Sequence, residues 1–386
     1  MFEVTLAIVA DQGSEAEALA RVPPELCSAC RSVVAISRPS AAGWPGGIQN
    51  PQLRVLAEAL WPLPFEFARF GPAIGALARR LKGQNFDVVH CFRLYCGRLW
   101  PLHKQGISIG RSILDLDDHE SRAKSRLIRY LPGLVGRQFA AVALLEVIKW
   151  ALIEKLLIPR FDDVFVCSAI DREQLSRRFP RNRWHVVPNT VAVPRAANLI
   201  SHDIFTFFFV GTFHYPANVD AVAFFCEQVL PILRRRVAMP FRVLIVGRGG
   251  DKLGRLKAVE GVEIIGDPLD IAPFYARADV AIVPLRAGGG TRIKILEAFS
   301  YGVPVISTTI GAEGLKVTPG SDILIADDPE AFADECCRMI ADESLRQRIA
   351  AAGRNLWESE YTPAALTSIL STIFRANIRT QPEATL

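Results

Sequence analysis

Twelve short runs rich in β-branched and aromatic residues, most of them closed by glycine, proline or a small polar residue, recur along this chain and alternate with segments of helical spacing. Six fall in the first half, at residues 4–10, 32–37, 86–92, 113–116, 163–168 and 184–188. Six fall in the second, at 205–211, 241–247, 262–266, 280–285, 304–308 and 323–326. Between them, segments such as 216–236 and 329–341 repeat apolar positions at helical spacing. Apolar strands that alternate with amphipathic helices form parallel sheets covered on both faces. Two such series exceed one sheet, and the pattern lapses into a linker at "VPRAANLIS", residues 193–201. The expectation is an α/β chain of two Rossmann-like parallel-sheet domains, residues 1–193 and 194–360. Ligands of such sheets bind beyond the carboxyl ends of the strands, so the predicted site is a cleft that the two domains face.

Composition narrows the function classes. Half of the 386 residues are hydrophobic and 22% are charged, enough to bury sizeable cores and unlike a disordered or disulfide-scaffold chain. No uncharged apolar run reaches the roughly 18 residues of a membrane span. The longest apolar region, 139–158, is interrupted by Glu146, Lys149, Glu154 and Lys155. Met1-Phe2-Glu3 lacks the basic start of a secretory signal, so the expected location is the cytoplasm, with the inner face of the membrane within reach. The net charge of +5 is uneven: residues 1–195 hold 26 Lys+Arg against 18 Asp+Glu, and residues 196–386 hold 19 against 22. The excess peaks at Arg122, Lys124, Arg126, Arg129 and Arg137, which fits a solvated face or an anionic membrane or polyphosphate partner. With no recognition element beside that charge, nucleic acid is not an expected partner. The run that follows, "FAAVALLEVIKWALIEKLL", either sets Trp150 and its leucines at an interface or packs inside the first domain. Cys27 and Cys30 have no second pair to complete a zinc site, and the eight cysteines read as reduced thiols.

The residues that carry chemistry cluster at strand exits. "FVGTFHYPANVDAV" sets Gly211 and Thr212 between a strand and a helix, where a phosphate or sugar can approach bare backbone N–H groups. "LIVGRGGDKLGRL" offers Gly247, Arg248, Gly249 and Gly250, but the third glycine of a dinucleotide motif is missing, with Asp251 in its neighbourhood. The most informative segment is "PLRAGGGTRIKILEAFSYGVPVIST", from Pro284 to Thr308. Its glycines, Gly289 and Gly290 among them, precede a helix expected to start near Thr291, whose free N–H groups and dipole suit a diphosphate. Thr291, Lys294 and Glu297 fall on one face of that helix. A cation one turn from a carboxylate makes a phosphate clamp and a ribose acceptor, or else a surface ion pair worth a few tenths of a kcal/mol. Arg292 converges with Lys294 only if it precedes the regular helix. In the first half, "LDLDDHES" brings Asp115, Asp117, Asp118 and His119 to a strand end. There they serve as acceptor-side groups for transfer chemistry or as an acidic turn capping the next helix. His90, in "VVHCF", belongs to the cleft floor or to the core.

Residues 205–361 resemble the donor domain of the retaining GT-B glycosyltransferases of family 4, through "FVGTFHYPANVDA", "VLIVGRGG", "VEIIGDPLDIAPFYARADVAIVPLRAGGGTRIKILEAFSYGVPVISTTIGAEGL" and "RNLWESEYTPAAL". The first half resembles the family more faintly, through "NFDVVHCFRLY", "SILDLDDHES" and "DDVFVCSAIDREQL". The resemblance implies a GT-B fold whose C-terminal helix, 361–386, crosses back to the first domain. It implies a nucleotide-sugar donor, a saccharide or lipid-linked acceptor, and metal-independent transfer without a further cofactor. Glu297 would hold the ribose and Gly211 with Thr212 would lie under the phosphates. Arg292 and Lys294 would neutralise the leaving diphosphate, with residues 262–267, Gly266 among them, and Pro284–Leu285 bordering the base. Asp117, Asp118 and His119 are the acceptor-side candidates. Three departures stand out. Gly289 occupies the position of the first glutamate of the family's Glu-x7-Glu pair. The basic residues that many relatives carry after the Gly211 strand are replaced by Thr212-Phe213-His214-Tyr215-Pro216. "FEVTLAIVAD" resembles the family's second strand more than its first. Two other functions therefore remain in view: a sugar-nucleotide-binding subunit without turnover, and a GT-B-like sugar-nucleotide epimerase.

Overall fold

A computed structural model of the chain describes residues 3–10, 14–37, 70–98, 106–128, 138–192 and 204–378, with isolated positions between 48 and 68. Two compact units emerge, Met1–Phe165 with Leu175–Trp184, and Val166–Gln174 with His185–Leu386.

In the first unit, β1 (Thr5–Ala10) and β2 (Ser32–Ser37) pair in parallel, Thr5 opposite Ser32 and Ala10 opposite Ser37. A second sheet has the order β3-β4-β5-β6, with β3 at Asn85–Phe92, β4 at Ser108–Leu116, β5 at Asp163–Val166 and β6 at Arg183–Val186. The helix Gly71–Leu81 buries Ala73, Leu77 and Leu81, one face at i, i+4 and i+8, in a cluster with Ile36 of β2 and Ile107 before β4. β4 starts five residues ahead of the apolar run at 113–116. Its polar beginning is satisfied in place: Arg111 pairs with the fully buried Asp163, and the Ser112 N–H and hydroxyl both donate to Asp162 Oδ2 at 2.8 Å. Gly110 lets the neighbouring strand close in, since a Cβ there would meet the Asp87 carbonyl oxygen at 2.8 Å.

The helix Gln138–Leu157 divides between the two alternatives open for its run. Trp150 is buried, edge-on to Phe67 at 6.5 Å, and belongs to the core with Ile153 and Leu157. The leucines on the opposite side stand outward. Of the basic stretch, Arg122, Lys124 and Arg126 lie on the helix Glu120–Ile128, and Arg129 and Arg137 fall outside the described residues. Among the described residues, no helix is long and apolar enough to cross a membrane.

The second unit holds one six-stranded parallel sheet in the order β12-β11-β10-β7-β8-β9. The strands are β7 (Phe205–Val210), β8 (Phe241–Val246), β9 (Val262–Ile265), β10 (Val280–Val283), β11 (Val305–Ser307) and β12 (Leu324–Ile325). The chain builds outward from β7 through β8 to β9, then returns to β7's other edge and builds the opposite way. That reversal opens a crevice beyond the carboxyl ends of β7 and β10, where such sheets take ligands. The helix expected over 216–236 divides into Pro216–Phe224, a widened π turn over Phe225–Val229, and Leu230–Arg236. Pro231 has no N–H to donate and crowds the carbonyl four residues back, so the Leu230 N–H reaches five residues back to Phe225 instead.

Candidate donor site at the β7 and β10 exits

The exits of β7 and β8 approach each other most closely at two glycines, Gly211 and Gly247. Gly247 has φ +146°, and a Cβ there would lie 1.9 Å from the Gly211 carbonyl oxygen. A Cβ on Gly211 would in turn meet Asn218 Nδ2 at 2.8 Å and Lys294 Nζ at 3.0 Å, so the bare backbone at 211 admits the lysine to the β7 exit. Arg248 supports this loop through its backbone, its carbonyl accepting from the Phe213 N–H at 2.8 Å.

Lys294 sits on the helix Ile293–Ser300, which begins two residues later than the sequence pattern indicates. Arg292 is therefore the residue before the regular helix, with φ −82° and ψ 82°, which is the placement that lets it converge with Lys294. Its buried guanidinium donates to the Gly289 carbonyl. Lys294 Nζ donates to Asn218 Oδ1 at 2.8 Å and lies 4.1 Å from the centroid of the Phe209 ring. Asn218 is fixed by its own donation to the Thr212 carbonyl at 2.8 Å. Burial of the amine, then the nearby Arg292 charge, pull the Lys294 pKa down to about 7, with Glu297 offsetting part of the shift. Thr291 Oγ is buried and makes no hydrogen bond among the described residues.

Glu297 accepts from the Tyr275 hydroxyl at 3.2 Å, and the Tyr275 ring stacks on Tyr301 at 4.5 Å. Burial raises the Glu297 pKa, while Tyr275 and Lys294 pull it back. Lys294 and Glu297 thus spend their hydrogen bonds on Asn218 and Tyr275, an arrangement different from a solvated ion pair. Gly288, at φ +118°, leaves room for the Tyr215 hydroxyl and Arg292, which a Cβ would meet at 2.8 and 3.1 Å. Gly289 and Gly290 continue this bare stretch from the β10 exit, which starts at Pro284 and is held by the Thr308 hydroxyl on the Leu285 carbonyl. Arg286 grips Asp220 through two hydrogen bonds of 3.0 and 2.6 Å, tying the loop to the helix Pro216–Phe224. A pocket of about 460 Å³ adjoins the β7, β8 and β9 exits, lined by His214, Gly249, Gly250, Lys257, Ile264 and Gly266 among others.

The donor-side residues singled out in the sequence thus gather around the exits of β7, β8, β9 and β10. Asn218, Tyr275 and Tyr301 were not among them. Asn218 follows Tyr215-Pro216 at a helix start, a weak signal, and "PFYARAD" gives no signal that its tyrosine faces Glu297.

In the first unit, the β4 exit carries Asp117, ion-paired to Arg93 at 2.7 Å, then Asp118 and His119. Arg93 holds φ +69°, uncommon without glycine, and donates its N–H to the Asp115 carbonyl at 2.8 Å. His90 Nε2 lies 3.0 Å from Asp115 Oδ2 with nearly half its side chain exposed, which removes it from the core. His119 Nε2 is 3.5 Å from Oε2 of the buried Glu154. Glu154 also accepts from the Ser121 N–H at 2.9 Å and hydroxyl at 2.7 Å, so a glutamate from another helix caps Ser121. Burial pushes the Glu154 pKa up, but the hydrogen bonds from His119 and Ser121 prevail and hold it below the usual range. Glu154→Ala should cost about 1–3 kcal/mol by leaving the buried Ser121 and the part-buried His119 without this acceptor, while the half-exposed Arg178 turns to solvent. Urea unfolding followed by circular dichroism measures it, and a loss below about 1 kcal/mol would contradict the network.

The family profile described as "Glycosyl transferases group 1" matches residues 204–342. D-inositol 3-phosphate glycosyltransferase of Corynebacterium urealyticum is 33% identical over 153 residues, 34% of this chain and 36% of that protein. Lipopolysaccharide core biosynthesis mannosyltransferase LpsB of Rhizobium meliloti is 31% identical over 162 residues, 38% and 44% of the two. The chain therefore spans less than half the length of these two curated relatives. Phosphatidyl-myo-inositol mannosyltransferase of Mycobacterium leprae is 24% identical over 322 residues, 79% of each. Among solved structures, sucrose-phosphate synthase of Thermosynechococcus elongatus superposes with a TM-score of 0.66 at 18% identity, over 98% of this chain and 100% of that one. Anabaena Alr3699/HepE, solved in complex with UDP and glucose, gives 0.61 at 14% identity, over 98% and 92%. The chain has the GT-B fold, and residues 204–342 are a glycosyl transferases group 1 domain.

Proposed function

We propose that this chain is a retaining glycosyltransferase of the family 4 kind. It would move a sugar from a nucleotide-sugar donor to a saccharide or lipid-linked acceptor in cell-surface polysaccharide or glycolipid synthesis. The observation that carries this reading is the convergence of Lys294, Arg292 and a glycine-bare loop with Glu297 at the point where the sheet reverses its strand order. A diphosphate there meets two cations and free backbone N–H groups. Glu297, oriented by Tyr275, accepts a ribose hydroxyl, and the neighbouring pocket receives the base.

Transfer with retention requires the sugar–phosphate bond to break as the acceptor approaches the same face. Charge develops on the leaving diphosphate, where Lys294 and Arg292 stabilise it without reorganising. With that negative charge met by two side chains, the reaction is proposed to proceed without a metal. The departing phosphate oxygen takes the acceptor's proton, and Asp117, Asp118 and His119 orient the acceptor hydroxyl. Backbone N–H groups at Gly289 and Gly290 replace a glutamate in contacting the sugar hydroxyls. Incubation with radiolabelled sugar nucleotides and an acceptor lipid extract tests the reading. Transfer supports it, whereas binding without turnover, or isomerised nucleotide, replaces it with the subunit or epimerase function.

Glu297→Gln should weaken nucleotide binding about ten- to a hundredfold through lost charge-assisted hydrogen bonds, while the Tyr275 contact preserves the fold. Calorimetry with a nucleotide and its 2′,3′-dideoxy analogue decides. If the analogue separates wild type from mutant as widely as the parent does, Glu297 does not hold the ribose.

A further inference from the structure

The helix Gln138–Leu157 has a second apolar face that no described residue covers. Leu144, Leu145, Ile148, Leu152 and Leu156 are between 42 and 56% exposed. At 100° per residue they occupy an arc of about 120°, and from Leu144 to Leu156 they run for about 18 Å. Trp150, Ile153, Glu154 and Leu157 fill the opposite arc and are buried, so the helix is already anchored without its outer face. Single exposed leucines are ordinary, but a continuous row of five on one helix marks an interaction surface.

Charge selects the occupant. Lys155 lies within the exposed arc, and the helix Glu120–Ile128, which packs along this one with Ser121 bonded to Glu154, carries Arg122, Lys124 and Arg126. A second copy docked through the same row would bring like charges together. An anionic bilayer would not: the leucines would enter the acyl boundary while lysine and arginine stems reach back to the headgroups.

We propose that the outward face of the 138–157 helix is a docking surface for an anionic lipid bilayer. This goes beyond the transferase reading and does not depend on it. The full chain is centrifuged with vesicles of phosphatidylcholine alone or mixed with phosphatidylglycerol, across a salt series. Wild type should pellet with the mixed vesicles, more strongly at low salt. A double substitution, Ile148→Glu with Leu152→Glu, should lower that binding about tenfold or more. The milder pair Leu144→Ser with Leu156→Ser should lower it by a smaller factor, and serves if the first variant folds poorly. UDP calorimetry on the same preparations reports on the donor site separately, so its failure leaves this proposal standing. Equal pelleting of wild type and both variants, or no pelleting of wild type, overturns the proposal. Light scattering that shows a wild-type dimer, turned monomeric by the substitutions and indifferent to vesicles, overturns it in favour of a second copy.

Discussion

Lys294→Met should lower the affinity for UDP or GDP by about 1–3 kcal/mol, roughly five- to 150-fold, and at the same time raise the stability of the unliganded chain. Both effects come from the same burial. The Lys294 amine has a neutral amide and a phenyl ring as its nearest partners, and its pKa of about 7 stands well below the 10.5 of a solvated lysine. Between those two pH values the unfolded chain holds a proton that the folded chain lacks. The destabilisation is therefore fully present below about pH 7 and is relieved as pH rises towards 10.5. A bound diphosphate reverses the preference by giving the ammonium an anion, so binding takes up a proton. Affinity should be greatest below about pH 7 and fall above it, by up to about tenfold per pH unit. Titration calorimetry in two buffers of different ionisation enthalpy reads the proton uptake directly. A wild-type pH profile indistinguishable from that of Lys294→Met would remove Lys294 from the diphosphate site.

Gly247→Ala should be the most damaging single methyl in the second unit. Its added carbon would overlap the backbone oxygen of Gly211, which has no side-chain freedom to yield, at a φ that L residues rarely adopt. A loss above about 4 kcal/mol is expected, among the largest classes of point-mutation effect. Gly266→Ala, one strand away, meets nothing within 4 Å and should stay within about 0.5 kcal/mol. Parallel urea melts compare the two. Similar midpoints would mean that the β7 and β8 exits can part, and the close approach that admits Lys294 would lose its support.

Some of this architecture was legible in the residues because it depends on local spacing. All six strands of the second unit's sheet lie within their apolar runs, since strands covered on both faces are mostly apolar, and the edge strand β9 keeps Glu263 exposed. Lys294 and Glu297 share a helix face by their i, i+3 spacing, and the glycines before them mark a backbone left bare. The sequence also set the condition for Arg292: it had to precede the regular helix, and it does.

The helix Gln138–Leu157 shows where that legibility ends. It is apolar nearly all round, so periodicity could not choose whether Trp150 or Leu152 faced inward. The start of β4 was hidden for the opposite reason, because its polar residues find partners on Asp162 and Asp163 about 50 residues away. The donor site divides in the same way. Residue type and spacing determined that a cation, a carboxylate and a bare loop would stand together. Only the tertiary structure decided that Lys294 bonds Asn218, 76 positions distant, and that Glu297 receives Tyr275. The reason is geometric. A sequence pattern states how much of a side chain must leave water, whereas the strand order, which places the β7 and β10 exits side by side, decides what it meets there.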